Sequence, residues 1–267
     1  MNNLVFVLFG LLFSTLADAQ KLVKLTIVID DMGNNINDFQ ALDLPKEIAF
    51  SILPFTPRGK QLAKKAQLQD RDFLVHIPMQ AVANNQKLGK GALMLDMQEQ
   101  QFKAELQRSL DHLPNALGIN NHMGSLLTTQ QLHMNWTMQV LKKQRLLFLD
   151  SRTTANTIAA ITAQRFAIPS ISRNVFLDNI KTSEAMEIQF QRAIRLSHNK
   201  ASTIIIAHPY PETITFLQQK FKIPIDGVQL ISLDQLIPNN QTTVIEADKV
   251  QQANNYSTNI ESLTQAQ

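Results

Sequence analysis

Between about Lys21 and Asn240 the chain repeats one theme: a short run of Ile, Val, Leu and Phe, a polar corner, then a stretch with helical periodicity. The runs are "LTIVID", "IAFSILP", "DFLVHIPM", "ALGINNHMG", "RLLFLDS", "SRNVFLD", "STIIIAHP" and "VQLISLDQL". Most are apolar at consecutive rather than alternate positions, as in strands covered on both faces. Helical spacing marks "TPRGKQLAKKAQL", "DMQEQQFKAELQRSLDHL", "TTQQLHMNWTMQVLKK" and "SEAMEIQFQRAIRLSHNK". The last begins with a candidate cap, Ser183, ahead of Glu184, and carries Met186, Phe190, Ala193 and Ile194 on one face. Such alternation predicts an α/β fold with a mostly parallel sheet. About seven or eight units match a barrel or barrel-like sheet, with an open doubly wound sheet as the other arrangement.

The ends of the chain read differently. Leu4 to Leu16 is apolar and is followed by Ala17-Asp18-Ala19, a small-x-small cleavage pattern, so residues 1–19 are expected to be a secretory signal. The leader has no Lys or Arg before its apolar run, and retention as an anchor is the alternative, although a span needs about 20 apolar residues. Residues 20–240 form the expected domain, and 241–267, rich in Asn, Gln and Thr, a polar and poorly ordered tail. A cleaved product would be periplasmic, without a membrane span.

Composition narrows the chemistry. The absence of cysteine excludes thiolate zinc sites and cysteine nucleophiles, so any metal must use His, Asp or Glu. The 25 basic and 22 acidic residues give +3, a mild excess, and no Lys/Arg run interleaved with aromatics marks a nucleic-acid surface. With 8 glycines and no phosphate-binding loop, a nucleotide cofactor has no support. No protein partner is legible.

In parallel α/β folds, ligands bind outside the carboxyl ends of the strands. There the runs end in Asp30 and Asp31, His76, Asn120, Asn121 and His122, Asp150, Asp178, and His208. His112, His133 and His198 fall instead in helical stretches and read as surface or packing residues. One acid and two histidines would give a metal three ligands and an open position, as in zinc sites that acidify water. The second acid would accept the water's proton, and a histidine across the site would protonate the leaving group. Successive strand residues face opposite ways, so both acids reach one site only if the strand breaks at once, for which Met32-Gly33 is the candidate. The competing readings are helix capping by Asp30-Asp31 ahead of "MGNNINDFQAL" and a magnesium phosphatase, the latter without the spaced aspartates or phosphate loop it needs.

The segments "IVIDDMG", "FSILPFTPRGKQLAKKA", "LVHIPMQ", "GINNHMGSLLT", "LFLDSRTTANT", "ISRNVFLDN" and "IIIAHP" occur in this order over Leu25 to Pro209. Together they resemble the divergent polysaccharide deacetylases, relatives of the metal-dependent carbohydrate deacetylases. The resemblance implies a distorted (β/α) barrel of about seven strands and hydrolysis of an N- or O-acetyl group on a glycan. It implies Asp30 as base, Asp31 as metal ligand and His208 as the late catalytic histidine. The wider superfamily has two histidines four residues apart in its second motif, whereas "HIPMQ" has only His76, and the Arg-Pro-rich third motif is replaced by "NNHMGS". His122 therefore completes the Asp31, His76, His122 set on chemical grounds, not by motif, with a divalent metal, zinc foremost, as cofactor.

Asn121, Ser125, Asp150, Arg152 and Asp178 are the candidate substrate contacts. Their alternative roles are structural: loop backbone for Asn121 and Ser125, and a loop-closing ion pair for Asp150 and Arg152. Arg58 and Lys60 stand near the end of the second strand, as contacts for an anionic glycan or as a solvated helix start. Two functions compete: a periplasmic metal-dependent deacetylase of an envelope or extracellular polysaccharide, and a catalytically weak carbohydrate-binding or regulatory protein on the same fold.

Overall fold

The computed structural model describes residues 22–237; the expected leader (1–19) and tail (241–267) lie outside the described residues. The strands are β1 (Val23–Met32), β2 (Ala49–Ile52), β3 (Phe73–Met79), β4 (Gly118–Met123), β5 (Leu147–Asp150), β6 (Ser170–Ser172), β7 (Val175–Phe176), β8 (Thr203–Ala207) and β9 (Val228–Leu230). The helices are α1 (Gly59–Leu68), α2 (Glu99–His112), α3 (Gln131–Gln144), α4 (Ala159–Arg165), α5 (Ser183–Ser197) and α6 (Pro211–Lys220). Among the described residues no helix is long and apolar enough to cross a membrane.

Every strand pairing is parallel, in the order β6-β5-β4-β3-β2-β1-β8-β7, with β9 on the first residues of β1. The two outermost strands, β6 and β7, are separated in the chain by only Arg173 and Asn174. The Arg173 N–H donates to the Asp150 carbonyl on one edge, and the Asn174 N–H donates to Ile204 on the other. The Asn174 side-chain oxygen accepts the Ile204 N–H at 2.8 Å. Thus β6 and β7 act as one kinked strand, and the sheet curls into a distorted (β/α) barrel closed by covalent chain. Counting them together gives the expected seven strands around the curl; the open doubly wound alternative does not occur.

Alternation along these strands sorts the core into two layers. Leu25, Ile27 and Ile29 join a large apolar cluster with α-helix residues such as Leu62, Phe102, Met138 and Phe190. Val28, Ala49, Leu74, Leu149 and Ile206 join a second cluster that contains no α-helix residue and is capped by Leu233 and Ile237. This second cluster fills the inside of the curl. Both faces of the sheet are thereby covered, which is why the strands read as unbroken apolar runs.

The crossover from β1 to β2 is organised by Arg71, only 3% exposed. Its guanidinium donates to the carbonyls of Pro45, Ile48, Leu42 and Leu44 and lies 4.6 Å from the Phe50 ring centre. A planar fork with five donors can satisfy several carbonyls of one irregular segment at once.

Candidate metal centre

Inside the curl, side chains two residues beyond the apolar layer are polar. Val28 is followed in phase by Asp30, Ala49 by Ser51, Leu74 by His76, Leu149 by Ser151 and Ile206 by His208. Asn120 and His122 continue the same alternation on β4, and Asn120 pairs with His76 in register. The site is thus the polar upper storey of an apolar interior.

Asp31 is out of phase and reaches the site by a backbone break. It has φ +59°, and the β1–β2 register shifts between Ile29 and Met32. The break therefore falls at Asp31 itself, one residue earlier than Met32-Gly33. Asp tolerates the left-handed region better than most residues. Gly33, at φ +119°, completes the turn; a Cβ there would lie 2.3 Å from Thr56 Oγ1.

Asp31 Oδ1 lies 2.7 Å from His122 Nδ1 and 3.0 Å from His76 Nε2. One ligand atom from each of the three residues falls within 4.8 Å of the others. A carboxylate oxygen and two imidazole nitrogens are a donor set for a borderline-soft divalent ion. The tautomer of His76 suits this role. Asn120 Nδ2 donates to Asp30 Oδ1 at 2.8 Å, so Asn120 Oδ1 faces His76 Nδ1 at 2.7 Å and must accept its proton. His76 Nε2 then faces Asp31, donating to its carboxylate in the metal-free protein, and would offer its lone pair to a bound ion. The Ser51 hydroxyl also donates to Asn120 Oδ1, and Asn120 Nδ2 reaches Ser151 Oγ.

Charge is distributed unevenly over the two acids. Burial raises the Asp30 pKa, against the pull of His76 and His208. Burial would raise Asp31 as well, but hydrogen bonds from His122 and His76 hold its carboxyl far below the usual range. For His76, burial opposes the charged form, and the Asp30 and Asp31 carboxylates outweigh it to raise the pKa. An ionised oxygen ligand and a basic neighbour therefore stand side by side.

His208 stands across the site, with Nε2 4.0 Å from Asp31 Oδ2. Its Nδ1 lies 2.9 Å from Asp178 Oδ1, while Asp178 Oδ2 accepts the His208 N–H at 2.6 Å and the Thr213 hydroxyl at 2.9 Å. Burial would depress His208, but the Asp178 hydrogen bond and charge, with Asp31 and Asp30 behind, push it up to about 9. Phe176 stacks on the ring at 6.1 Å between centroids, and Tyr210 tilts against it at 5.5 Å.

The residue range 27–237 matches the sequence model of the divergent polysaccharide deacetylases. This chain belongs to that family. It is 38% identical to the uncharacterized protein YibQ of Escherichia coli K12 over 220 residues, covering 82% of this chain and 68% of that one. An uncharacterized Haemophilus influenzae protein is 34% identical over 231 residues, with 86% and 81% covered. Among solved structures, an uncharacterized Agrobacterium tumefaciens protein superposes with TM-score 0.75 at 19% identity, covering 82% of this chain and 91% of that one. The catalytic domain of a Eubacterium rectale peptidoglycan N-acetylglucosamine deacetylase gives 0.50 at 11% identity, covering 81% and 91%. At these identities the structural likeness concerns the fold.

The curl gathers Asp30, Asp31, His76, His122 and His208 at one point, whereas the expected substrate contacts divide. Asn121 is buried and spends both ends of its amide inside the protein, on the Met123 carbonyl and the Ser151 N–H. Ser125 Oγ accepts the Val82 N–H. Asp150, 1% exposed, accepts the Arg152 N–H and the Thr157 hydroxyl, and closes its loop through these bonds without a side-chain ion pair to Arg152. Asp178 is turned onto His208, so it positions that ring rather than facing the mouth. Arg152 alone of the five is exposed, at φ +48°. Arg58 and Lys60 are exposed at the start of α1. Asn120, which joins Asp30 to His76, was visible only as a polar strand end; its period-two spacing from His122 was the available signal.

Proposed function

We propose that this chain is a periplasmic, metal-dependent hydrolase that removes acetyl groups from an envelope or extracellular polysaccharide, with Zn2+ as the ion. One observation carries the reading: Asp31, His76 and His122 converge between a buried carboxylate, Asp30, and a histidine held by a second carboxylate, His208. Family membership and the barrel fold support it.

Asp31, His76 and His122 would hold the metal, which when bound supplies Lewis acidity toward water and the acetyl carbonyl. Asp30, its basicity raised by burial and its orientation fixed by Asn120, accepts the proton of the attacking water. Collapse of the tetrahedral centre breaks the bond between the acetyl carbon and the sugar nitrogen or oxygen. His208, cationic with Nδ1 engaged by Asp178, delivers its Nε2 proton to that leaving atom. The products are acetate and a free amine or hydroxyl.

The test is metal content of the purified mature protein by elemental analysis, beside Asp31→Ala and His122→Ala, followed by acetate release from acetylated glycans. The expected result is near-stoichiometric zinc lost in both variants, and acetate release abolished in Asp30→Asn although metal is retained. A wild-type protein that takes up no metal when zinc is offered would sink the mechanism. Metal and glycan binding without acetate release would establish a binding module instead.

A further inference from the structure

We propose that the glycan is anionic, carrying a carboxylate or phosphate close to the acetylated sugar. This rests on the deacetylase reading for its setting, but not on turnover for its test. The loops that leave the carboxyl ends of the strands carry Arg58, Lys87, Lys90, Arg152, Arg173 and Lys181. Their exposed acid at this end is Asp96, while Asp38 and Asp178 are buried. The loops at the opposite end (44–48, 69–72, 113–117, 145–146, 166–169, 198–202 and 221–227) carry five Lys or Arg and four Asp or Glu, close to balance. With Asp30, Asp150 and Asp178 buried and Asp31 half-buried, the exposed charge at the end of the barrel that holds the metal centre is positive.

These six cations make no contact ion pair with a protein carboxylate; Asp150 acts on Arg152 and Arg173 only at longer range. Among the described residues none of the six forms an ion pair, in contrast to Lys103, Arg108 and Lys220. Two of them rest on aromatic faces beside His208. The Arg173 guanidinium lies 3.7 Å from the Phe176 ring centre and Lys181 Nζ 3.3 Å from that of Tyr210, and both rings pack against His208. An aromatic face fixes a cation without neutralising it.

Arg173 is also pinned, with Nε donating to the Ser151 carbonyl and Nη2 to that of Arg152, which leaves Nη1 without a protein partner. Burial and the neighbouring Arg152 guanidinium push its pKa down to about 10, so it remains charged at neutral pH. Arg173 and Lys181, held on rings that pack against the catalytic histidine, with the exposed Arg152 beside Arg173 and no contact ion pair on any of the three, form a receptor for a ligand's negative charge.

The test measures equilibrium binding to the zinc-loaded protein of three oligosaccharides of equal length: an oligogalacturonate, a glycosylated poly(glycerol phosphate) and a neutral cello-oligosaccharide. Binding of one or both anionic probes at least about fivefold tighter than the neutral one is expected at low salt, with the preference collapsing at 0.5 M NaCl. The stronger anionic probe identifies carboxylate or phosphate as the group read. Arg152→Glu combined with Lys181→Glu, both exposed positions, should erase the preference while the melting temperature stays within a few degrees. Equal affinity for charged and neutral probes, no binding of any probe, or a preference that survives in the correctly folded double variant would overturn the inference. Preferential binding of an anionic probe without acetate release from its acetylated form would overturn the deacetylase reading and leave this one standing.

Discussion

Asp178 grips His208 at two points: one carboxylate oxygen lies 2.9 Å from the ring Nδ1, and the other accepts the backbone N–H of the same residue at 2.6 Å. The ring is fixed in orientation and charge by one neighbour, itself anchored by Thr213. In metal-free protein, proton NMR should show His208 titrating near 9. Because this lies above the unfolded value of about 6.5, the stabilisation it confers is complete below about pH 6.5 and is lost as pH rises through about 9. Asp178→Asn should return the midpoint toward the ordinary histidine range and lower kcat by roughly 100-fold. An unchanged midpoint in that variant would refute the coupling.

Asn120 uses its whole amide inside the site, giving protons to Asp30 and Ser151 and accepting from His76 and Ser51. Asn120→Ala should weaken zinc binding by roughly 10- to 100-fold in competition with a chelating dye, because His76 loses the partner that fixes its tautomer. Asn120→Asp should be worse, since it places another carboxylate beside Asp30. Zinc affinity equal to wild type in both variants would remove Asn120 from the metal centre.

Arg71 holds four backbone carbonyls of the β1–β2 crossover in a nearly dry environment. Arg71→Ala should cost about 3 kcal/mol or more in urea unfolding, through carbonyls left buried and unpaired. Arg71→Lys should recover only part of this, because an ammonium cannot span the same acceptors. A loss below about 1 kcal/mol would show that water replaces the guanidinium freely.

The fold and the heart of the site were legible because both follow from period-two geometry. Apolar strands covered on both faces announced the parallel sheet, and the polar residues where those runs stop announced Asp30, His76, His122 and His208. What escaped is short or depends on tertiary contact. The three residues of β6 and two of β7 are too few for a period and read as one irregular run; α4, seven residues long, is equally brief. The helix α6 begins at Pro211, only three residues beyond His208, where a proline ring fits the first helical turn. For Asn121, Ser125, Asp150 and Asp178 position is legible in the sequence, but direction is not. Each lies at a strand end or in a rim loop, and only the packed structure shows them turned onto backbone or, for Asp178, onto His208.

The apolar layer of Val28, Leu74, Leu149 and Ile206 beneath the site, stopped below by Leu233 and Ile237, also governs traffic. Among the described residues it gives the chamber an apolar floor. Under the proposed deacetylation, water and acetate would therefore use the same doorway as the sugar chain. Each turnover would then be a matter of queueing at one entrance, with the glycan's grip on the rim setting how quickly the small product escapes.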